Sequence, residues 1–528
     1  MLLFSLTLFS FDESSGHFIE ALPKRDIGKK LYEEQCASCH HKDRIGLEGP
    51  PLYSKTLRKY KDISALAKKI KNGFPQTLMP KFEHLSDIEL IKIAEYIKRP
   101  LDSNISWTKA DIENSIKLFN DPKNELKIKN MANVTPVVER GANKIWIMED
   151  DKILAKFHLS NVHGGIKYQF PKAQNIFIPT RDGWVEKYSL KEGRRVAKVR
   201  DCINLRNVSL SRDGKYGFTS CLLPQQLVIF DTKTLKPIKI VPLDGKVSAI
   251  YQLYSKDLMI FTLRDKPVVA FVNSKNFNIN YFRIKEPIED FFIDPFEKYL
   301  IATARRGKLL RVYSINPLKL VFEEKISGMP HLFSATYWYR NGKFFFATPH
   351  LRSNFITIWQ MYNWKLIKKV DVGGDGFFAK THPATPYLWV DNGSDELVLV
   401  SKKDFSIKKL IPRKNKRYIH AEFSGDGKYT YLSIYERDGD LLVWDTKSFK
   451  EIKDYKANIP VGKYNFICKN RRFYPMLFGI EIKNEKFPKD SVGEIFKKVI
   501  SHDVKLNEYE LKSILAYIKY MEDKKDFK

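Results

Sequence analysis

No stretch of this 528-residue chain offers the roughly 18 continuous apolar residues that a membrane-spanning helix needs. An integral membrane protein is therefore not expected. The apolar start, Met1 to Phe11, is short and lacks a basic n-region. Residues 1–19 read as the remnant of a clipped or mis-started signal peptide, with a retained anchor as the alternative. Acidic residues are scarce: 62 Asp and Glu face 91 Lys and Arg, for a net charge of +29. The lysines form neither a tail nor a single helix stripe, so a solvated basic surface is the default. Part of that charge suits steering an acidic partner or an anionic ligand. Cysteine is rare as well, with five in the chain. Cys202 and Cys221 are close enough in sequence to meet on neighbouring strands as a disulfide, but two buried free thiols is the simpler reading. Cys468 stands alone.

The remaining two cysteines lie in Cys36-Ala37-Ser38-Cys39-His40. This is Cys-x-x-Cys-His, the attachment signature of a c-type haem. Two thiols add to the vinyl groups and the adjacent histidine reaches the iron. A redox-active or zinc-binding Cys pair is the alternative, and the residues that follow argue against it. A helix is expected from Ile27 to His40, then a loop with Gly46, Gly49, Pro50 and Pro51. An amphipathic stretch, Ile63 to Lys71, precedes Thr77-Leu78-Met79-Pro80. Met79 lies 39 residues beyond His40, a suitable place for a soft thioether ligand that raises the reduction potential. His40 and Met79 are the expected iron ligands; His41 and His84 are less attractive. Ser86 and Glu89 form a capping-box pattern opening a last helix, with an apolar face through Ile88, Ile91, Ala94 and Ile97. The fold expected here is an all-α cytochrome c domain over 20–105. A covalent haem implies export to the periplasm and leaves no role for nucleic acid.

From about residue 140 a different pattern begins. Alternating apolar runs start at Ala142, Asp182, Gln225, Lys266, Gly307, Asn354, Asp395 and Gly439. Steps of about 40 to 47 residues fit four-stranded propeller blades. Asp-Gly turns at Asp213-Gly214 and Asp426-Gly427 mark hairpins between them. Eight units predict an all-β eight-bladed propeller over 125–470, with a central channel and loops at its mouth. The repeat alone does not distinguish an enzyme from a binding platform.

Histidines in this region are few: His158, His163, His331, His350, His382 and His420. His163, His331, His382 and His420 each precede or head an expected inner strand, and equivalent blade positions converge on the channel. Each alone reads equally well as a satisfied core residue, and a zinc site is a further alternative. Four together favour a second haem-like cofactor, a planar macrocycle held between proximal and distal histidines. Arg181 and Arg206 also lie near blade entrances, where rigid guanidinium forks suit ring carboxylates.

These features resemble the proteins that pair a cytochrome c domain with an eight-bladed haem d1 propeller, the cytochrome cd1 nitrite reductase-like family. The resemblance spans about residues 25 to 470. The segment Val372-Gly373-Gly374-Asp375-Gly376-Phe377-Phe378-Ala379-Lys380-Thr381-His382-Pro383 looks like the family's distal-side segment. It implies His163 as proximal iron ligand, with His331 and His382 on the distal side. Within the family the chain looks most like the dihydro-haem d1 dehydrogenase branch. The marks are Arg44 to Leu52 with Pro75 to Pro80, His163-Gly164-Gly165 with Arg181-Asp182-Gly183-Trp184, and His420-Ala421-Glu422-Phe423, where the reductases generally carry no histidine. The resemblance implies oxidation of a propionate side chain of dihydro-haem d1 to the acrylate of haem d1. Electrons would leave through haem c to a soluble periplasmic acceptor. His420 is the expected base, with His382 next, and His420 is also a candidate distal contact of the iron. Arg181 and Arg206 are the expected carboxylate contacts. The alternatives are a cytochrome cd1 nitrite reductase making nitric oxide, or a non-catalytic haem d1 carrier. Nitrite reductase or other haem d1 assembly proteins are candidate partners.

The C-terminal stretch does not read as a blade. Leu511, Ile514, Leu515 and Ile518 share one helical face, echoing Ala65 to Ile97. Residues 476–528 are therefore expected to be a helical appendage, either a degenerate haem-free cytochrome c half or a coincidental helix pair.

Overall fold

The structure, a computed structural model, describes residues 26–468 except 47, 48, 50, 54–56, 58, 59, 61, 74–78, 102–104, 171, 172 and 305–307. The expected signal remnant at 1–19 and the appendage at 476–528 lie outside the described residues. The chain divides into two compact units, with the boundary between residues 104 and 105.

The first unit is helical. Helices α1 (Ile27–Gln35) and α2 (Ala37–His40) replace the single expected helix, because the backbone breaks at Cys36. Helix α3 spans Ile63–Asn72 and α4 spans Asp87–Lys98. Each long helix starts where a side chain caps its free N–H groups: Asp26 for α1, Asp62 for α3 and Ser86 for α4. The Ser86–Glu89 capping box read from the sequence is present. The buried face of α4 is Leu90, Ile93, Ala94 and Ile97. Ile88, expected on that face, is 72% exposed, since it falls in the first turn ahead of the core. At the other end, buried Arg44 gathers the open carbonyls. Its guanidinium donates to Tyr96 O, Ile97 O, Arg99 O and Pro100 O at 2.8–3.0 Å. This closes the helix C-terminus with one charged fork.

The second unit is an eight-bladed propeller. Among the described residues there are eight antiparallel sheets of four or five strands. Blade 1 holds strands within 134–158, and blades 2 to 8 follow at 167–200, 204–242, 247–283, 290–325, 329–371, 379–410 and 418–457. All eight runs found in the sequence are third strands, such as Lys144–Glu149, Gln225–Asp231 and Gly439–Asp445. Third strands are covered on both faces by neighbouring blades, so both sets of alternating side chains are apolar. Fourth strands face water on one side, as the alternating exposure at the start of Leu318–Lys325 shows. The ring closes when the last strand, Pro460–Lys463, pairs with Val134–Glu139 of blade 1. The two ends of the domain are thus stitched into one sheet.

The stretch after residue 105 belongs to this unit. Helix α5 (Lys109–Ser115) and the short strand Lys117–Leu118 lie along the outer strand of blade 2. The indole of Trp107 donates to Arg200 O at 2.8 Å, and Ile112 is fully buried beside Val199 and Leu205.

Cys202 and Cys221 form a disulfide, with Cα atoms 6.1 Å apart, and are not two free thiols. Cys202 precedes the inner strand of blade 3 and Cys221 lies on its second strand, so hairpin pairing brings them together. The bridge closes a 19-residue separation. A C202A/C221A double variant is expected to lose about 3 kcal/mol of propeller stability, measured by chemical unfolding. Thiol labelling of the unfolded parent should modify Cys468 but neither Cys202 nor Cys221 without prior reduction.

Candidate functional site

Second and third strands pair without a register shift in all eight blades, whereas inner strands are shortened, split or shifted in most. The inner strand of blade 2 shrinks to Lys167–Tyr168, and that of blade 7 to Ala379–Lys380. In blade 6 the 3-10 turn Leu332–Ser334 splits it into Met329–Pro330 and Thr336–Arg340. In blade 8 the register shifts between Ile419 and Ala421, where His420 adopts a left-handed φ of 51°. His163, His331, the Phe377-Phe378 pair and His420 occupy these four breaks.

Contacts link the four breaks around the channel. His163 is followed by Gly164 (φ 87°) and Gly165 (φ 83°). A Cβ on Gly164 would lie 2.6 Å from Arg206 O, so glycine is needed where the loop presses on blade 3. His163 Nδ1 lies 3.3 Å from Arg206 O, to which it donates, and Nε2 lies 2.7 Å from Arg181 Nη2, from which it accepts. The two bonds together fix the tautomer with an unprotonated Nε2. Burial, with the Arg181 and Arg206 charges, holds the imidazole well below its ordinary pKa. The Arg206 guanidinium donates to Ser248 O and lies 5.3 Å over the Phe333 ring. Beside Phe333, His331 Nδ1 donates to Phe377 O at 2.8 Å. Phe378 touches His331 (6.1 Å between centroids) and meets His420 edge-on at 4.6 Å.

Sequence reasoning missed several residues here. Arg140 and Arg264 share one repeated place with the expected Arg181, the turn after the second strand of blades 1, 2 and 4. Aligning the blades on their third strands would have shown this. The charges of Arg206, Arg264 and Arg140 all bear on Arg181, and with burial as the main cause bring it down to about 9. Glu289, 3.5 Å from Arg264, is a carboxylate within reach of this group. Like charges gathered in partly buried ground are costly unless an anion completes them. Arg417 lies 5.7 Å over the Phe377 ring. Lys380 pairs with buried Glu422 at 3.5 Å. Tyr464 packs near Gly165, and burial raises its phenol so that it stays protonated. Two buried aspartates complete the wall: Asp290 accepts from Phe333 N, and Asp391 accepts from Phe377 N, Phe378 N and His420 N.

His382 is not brought to this group. It sits in the turn after Ala379–Lys380, at the far end of the inner strand from Phe378. Its Nδ1 accepts from Ala384 N (3.1 Å) and its Nε2 lies 3.2 Å from Gly425 O in the matching turn of blade 8. His350 is likewise a satisfied core residue, held by Ser327 O and Thr357 Oγ1. His158 ends the outer strand of blade 1. No three His, Cys, Asp or Glu side chains among the described residues converge as a metal-ion cluster.

In the helical unit, Cys36 is buried, Cys39 exposed and His40 buried. The following loop folds back on this turn through Gly46 N to His40 O and Gly49 N to Cys39 O, at 2.9 and 2.8 Å. A Cβ on Gly49 would stand 2.6 Å from His40 Nδ1, so glycine lets the loop lie against the imidazole. Met79 packs at the rim of the helical core.

Residues 129–469 match the family model described as Cytochrome D1 heme domain. The chain belongs to this family. The helical region, residues 23–97, matches the model for Cytochrome C oxidase, cbb3-type, subunit III. Among relatives of this cytochrome d1 family protein is the "Dihydro-heme d1 dehydrogenase" of Pseudomonas aeruginosa. It is 31% identical over 463 residues, covering 83% of this chain and 93% of the relative. The "Nitrite reductase" of Stutzerimonas stutzeri is 22% identical, over 84% of this chain and 92% of its own. A solved structure, "Dihydro-heme d1 dehydrogenase NirN in complex with DHE", superposes with a TM-score of 0.76 at 30% identity. That match covers 84% of this chain and all of the other.

Burial holds the His382 imidazole down at about 4, against an ordinary 6.5. Its depressed pKa stabilises the fold above pH 6.5, and that contribution is lost as pH falls towards 4. Urea unfolding of H382N against the parent should therefore show the variant's deficit shrinking by about 3 kcal/mol between pH 7 and 4.

Proposed function

We propose that this chain dehydrogenates dihydro-haem d1 in the periplasm, turning a ring propionate into an acrylate to give haem d1. The observation that carries this reading is the crowd of arginines around His163 at the broken inner strands. A neutral imidazole with an unprotonated Nε2 suits an iron centre. Arginine forks beside it suit the carboxylates of the same macrocycle. The identity to the dihydro-haem d1 dehydrogenase, higher than that to the nitrite reductase, supports the same choice.

In this reading His163 holds the substrate iron from one face. Arg181 and Arg206 bind the ring carboxylates, with Arg140 and Arg264 adding to the field. His331, Phe378 and His420 line the other face. Dehydrogenation breaks two C–H bonds and forms one C=C bond, releasing two protons and two electrons. His420 accepts a proton from the side chain, and Phe378 packed edge-on limits the rotation of its ring. His420, the proposed base, is itself buried, at 4% exposure, which limits its access to water.

The helical unit is read as a cytochrome c domain. Cys36 and Cys39 would carry haem c, with His40 and Met79 as iron ligands. The Cys-x-x-Cys-His turn wrapped by the Gly46–Gly49 loop fits such a group. Haem c supplies one-electron relay towards a soluble periplasmic acceptor. No described helix is long and apolar enough to cross a membrane.

The nitrite reductase reading asks His382 to stand beside His331 on the distal face. His382 in the opposite turn, with both ring nitrogens on backbone groups, disfavours it. The deciding experiment supplies dihydro-haem d1 to the protein carrying haem c and follows product and haem c reduction together. Conversion with reduction is expected. Binding without conversion would make the protein a carrier, and rapid nitrite turnover without conversion would make it a reductase. H420A should lower turnover by about 10²- to 10⁴-fold, the usual range for loss of a general base. H163A should instead weaken binding of the macrocycle or change its spectrum. Met79→Ala should leave haem c attached and lower its potential, read by redox titration.

A further inference from the structure

Three backbone N–H groups of the distal wall end on one carboxylate. Asp391 closes the second strand of blade 7 and is 1% exposed. Its Oδ1 accepts from Phe377 N at 2.5 Å and Phe378 N at 3.0 Å. Its Oδ2 accepts from His420 N at 3.0 Å. These are the groups that the broken inner strands of blades 7 and 8 release from their ladders. Phe377 passes the arrangement on, since its carbonyl receives the His331 Nδ1–H. Phe378 does so too, through its ring against His420. The loop reaches Asp391 because position 376 is glycine: any Cβ there would strike the Asp391 carbonyl.

We propose that Asp391 is the positioning residue of the distal face. It holds His420 in its left-handed conformation and sets Phe378 and His331 around the reacting side chain, without touching substrate itself. The proposal rests on the dehydrogenase reading for its kinetic consequence, but its structural content does not. A side chain that accepts three N–H bonds cannot be replaced by an amide, which offers one accepting oxygen and a donating NH2. In D391N at least one segment must turn away.

The test compares D391N with D294N. Asp294 is also fully buried and accepts backbone N–H bonds, from Phe296, Lys298 and Tyr299, but in the turn at the opposite end of its strand from Asp290. Both variants should lose stability. D391N should lower turnover at saturating dihydro-haem d1 by about 100-fold, the scale expected for a base displaced by an ångström. Its binding of the macrocycle, by spectral titration, should stay within about threefold, less than the loss of one strong hydrogen bond would cause. D294N should keep the parental rate. The absorption spectrum of bound haem d1 should shift in D391N and not in D294N. G376A, which keeps the carboxylate and pushes the loop off it, should reproduce the D391N defects and stands in for D391N if that variant does not fold. A parental rate and spectrum in D391N, or in G376A, would overturn the inference. Equal turnover losses in D391N and D294N would also overturn it. A parent that binds haem d1 but converts nothing would fail the function, and the spectral comparison would still decide the role of Asp391.

Discussion

A backbone N–H taken out of a buried ladder must find another acceptor, and the whole channel mouth follows from that constraint. Third strands run unbroken and give the propeller its stability. Inner strands of blades 2, 6, 7 and 8 are interrupted, and His163, His331, Phe377, Phe378 and His420 stand at the interruptions. Each interruption is repaired locally. Asp290 takes Phe333 N–H beside the split strand of blade 6. Asp391 takes three N–H groups beside blades 7 and 8. The price is two buried carboxylates, whose pKa values burial raises, Asp391 to about 6.

The second organising force is electrostatic. Arg140, Arg181 and Arg264 come from one repeated turn in three blades, and Arg206 from an inner strand. Radial symmetry brings them together without any sequence cluster. The basic composition of the chain is therefore of two kinds. Lysines are spread along the whole chain, while a few arginines are brought close together at the turns that follow second strands. The same neighbourhood holds the His163 imidazole well below its ordinary pKa, through burial and the Arg181 and Arg206 charges.

Much of the fold was legible because its signals are local. The Ser86–Glu89 box and the eight two-sided apolar strands each declare themselves within about ten residues. The positions of His163, His331, His420, Arg181 and Arg206 at or beside the inner strands were legible from the blade repeat, and their roles remain as proposed. The position of His382 was not legible, because a histidine just after a short inner strand looks the same in sequence whichever end of the strand it occupies. Ile88 misled for a related reason: helical spacing gives a face but not the depth at which the core begins. The Cys202–Cys221 bridge depended on a register irregularity at Cys221 that no spacing rule specifies. Asp391 was invisible because its role is to hold backbone, and any aspartate at a strand end reads as a turn residue.

The hydrogen bond from Arg181 to His163 Nε2 has a kinetic side. The nitrogen proposed to take the iron is already in use, so on that proposal arrival of a macrocycle is an exchange and not a simple addition. On the same proposal the guanidinium released from the imidazole would pair with a carboxylate of the macrocycle, and would return when the carboxylate departs. Affinity is lowered by the bond that must be broken, and the barrier to departure is lowered with it. A protein that kept its tetrapyrrole for life would gain nothing from such a competitor. One that must take in a molecule, alter it and hand it on gains a built-in means of letting go.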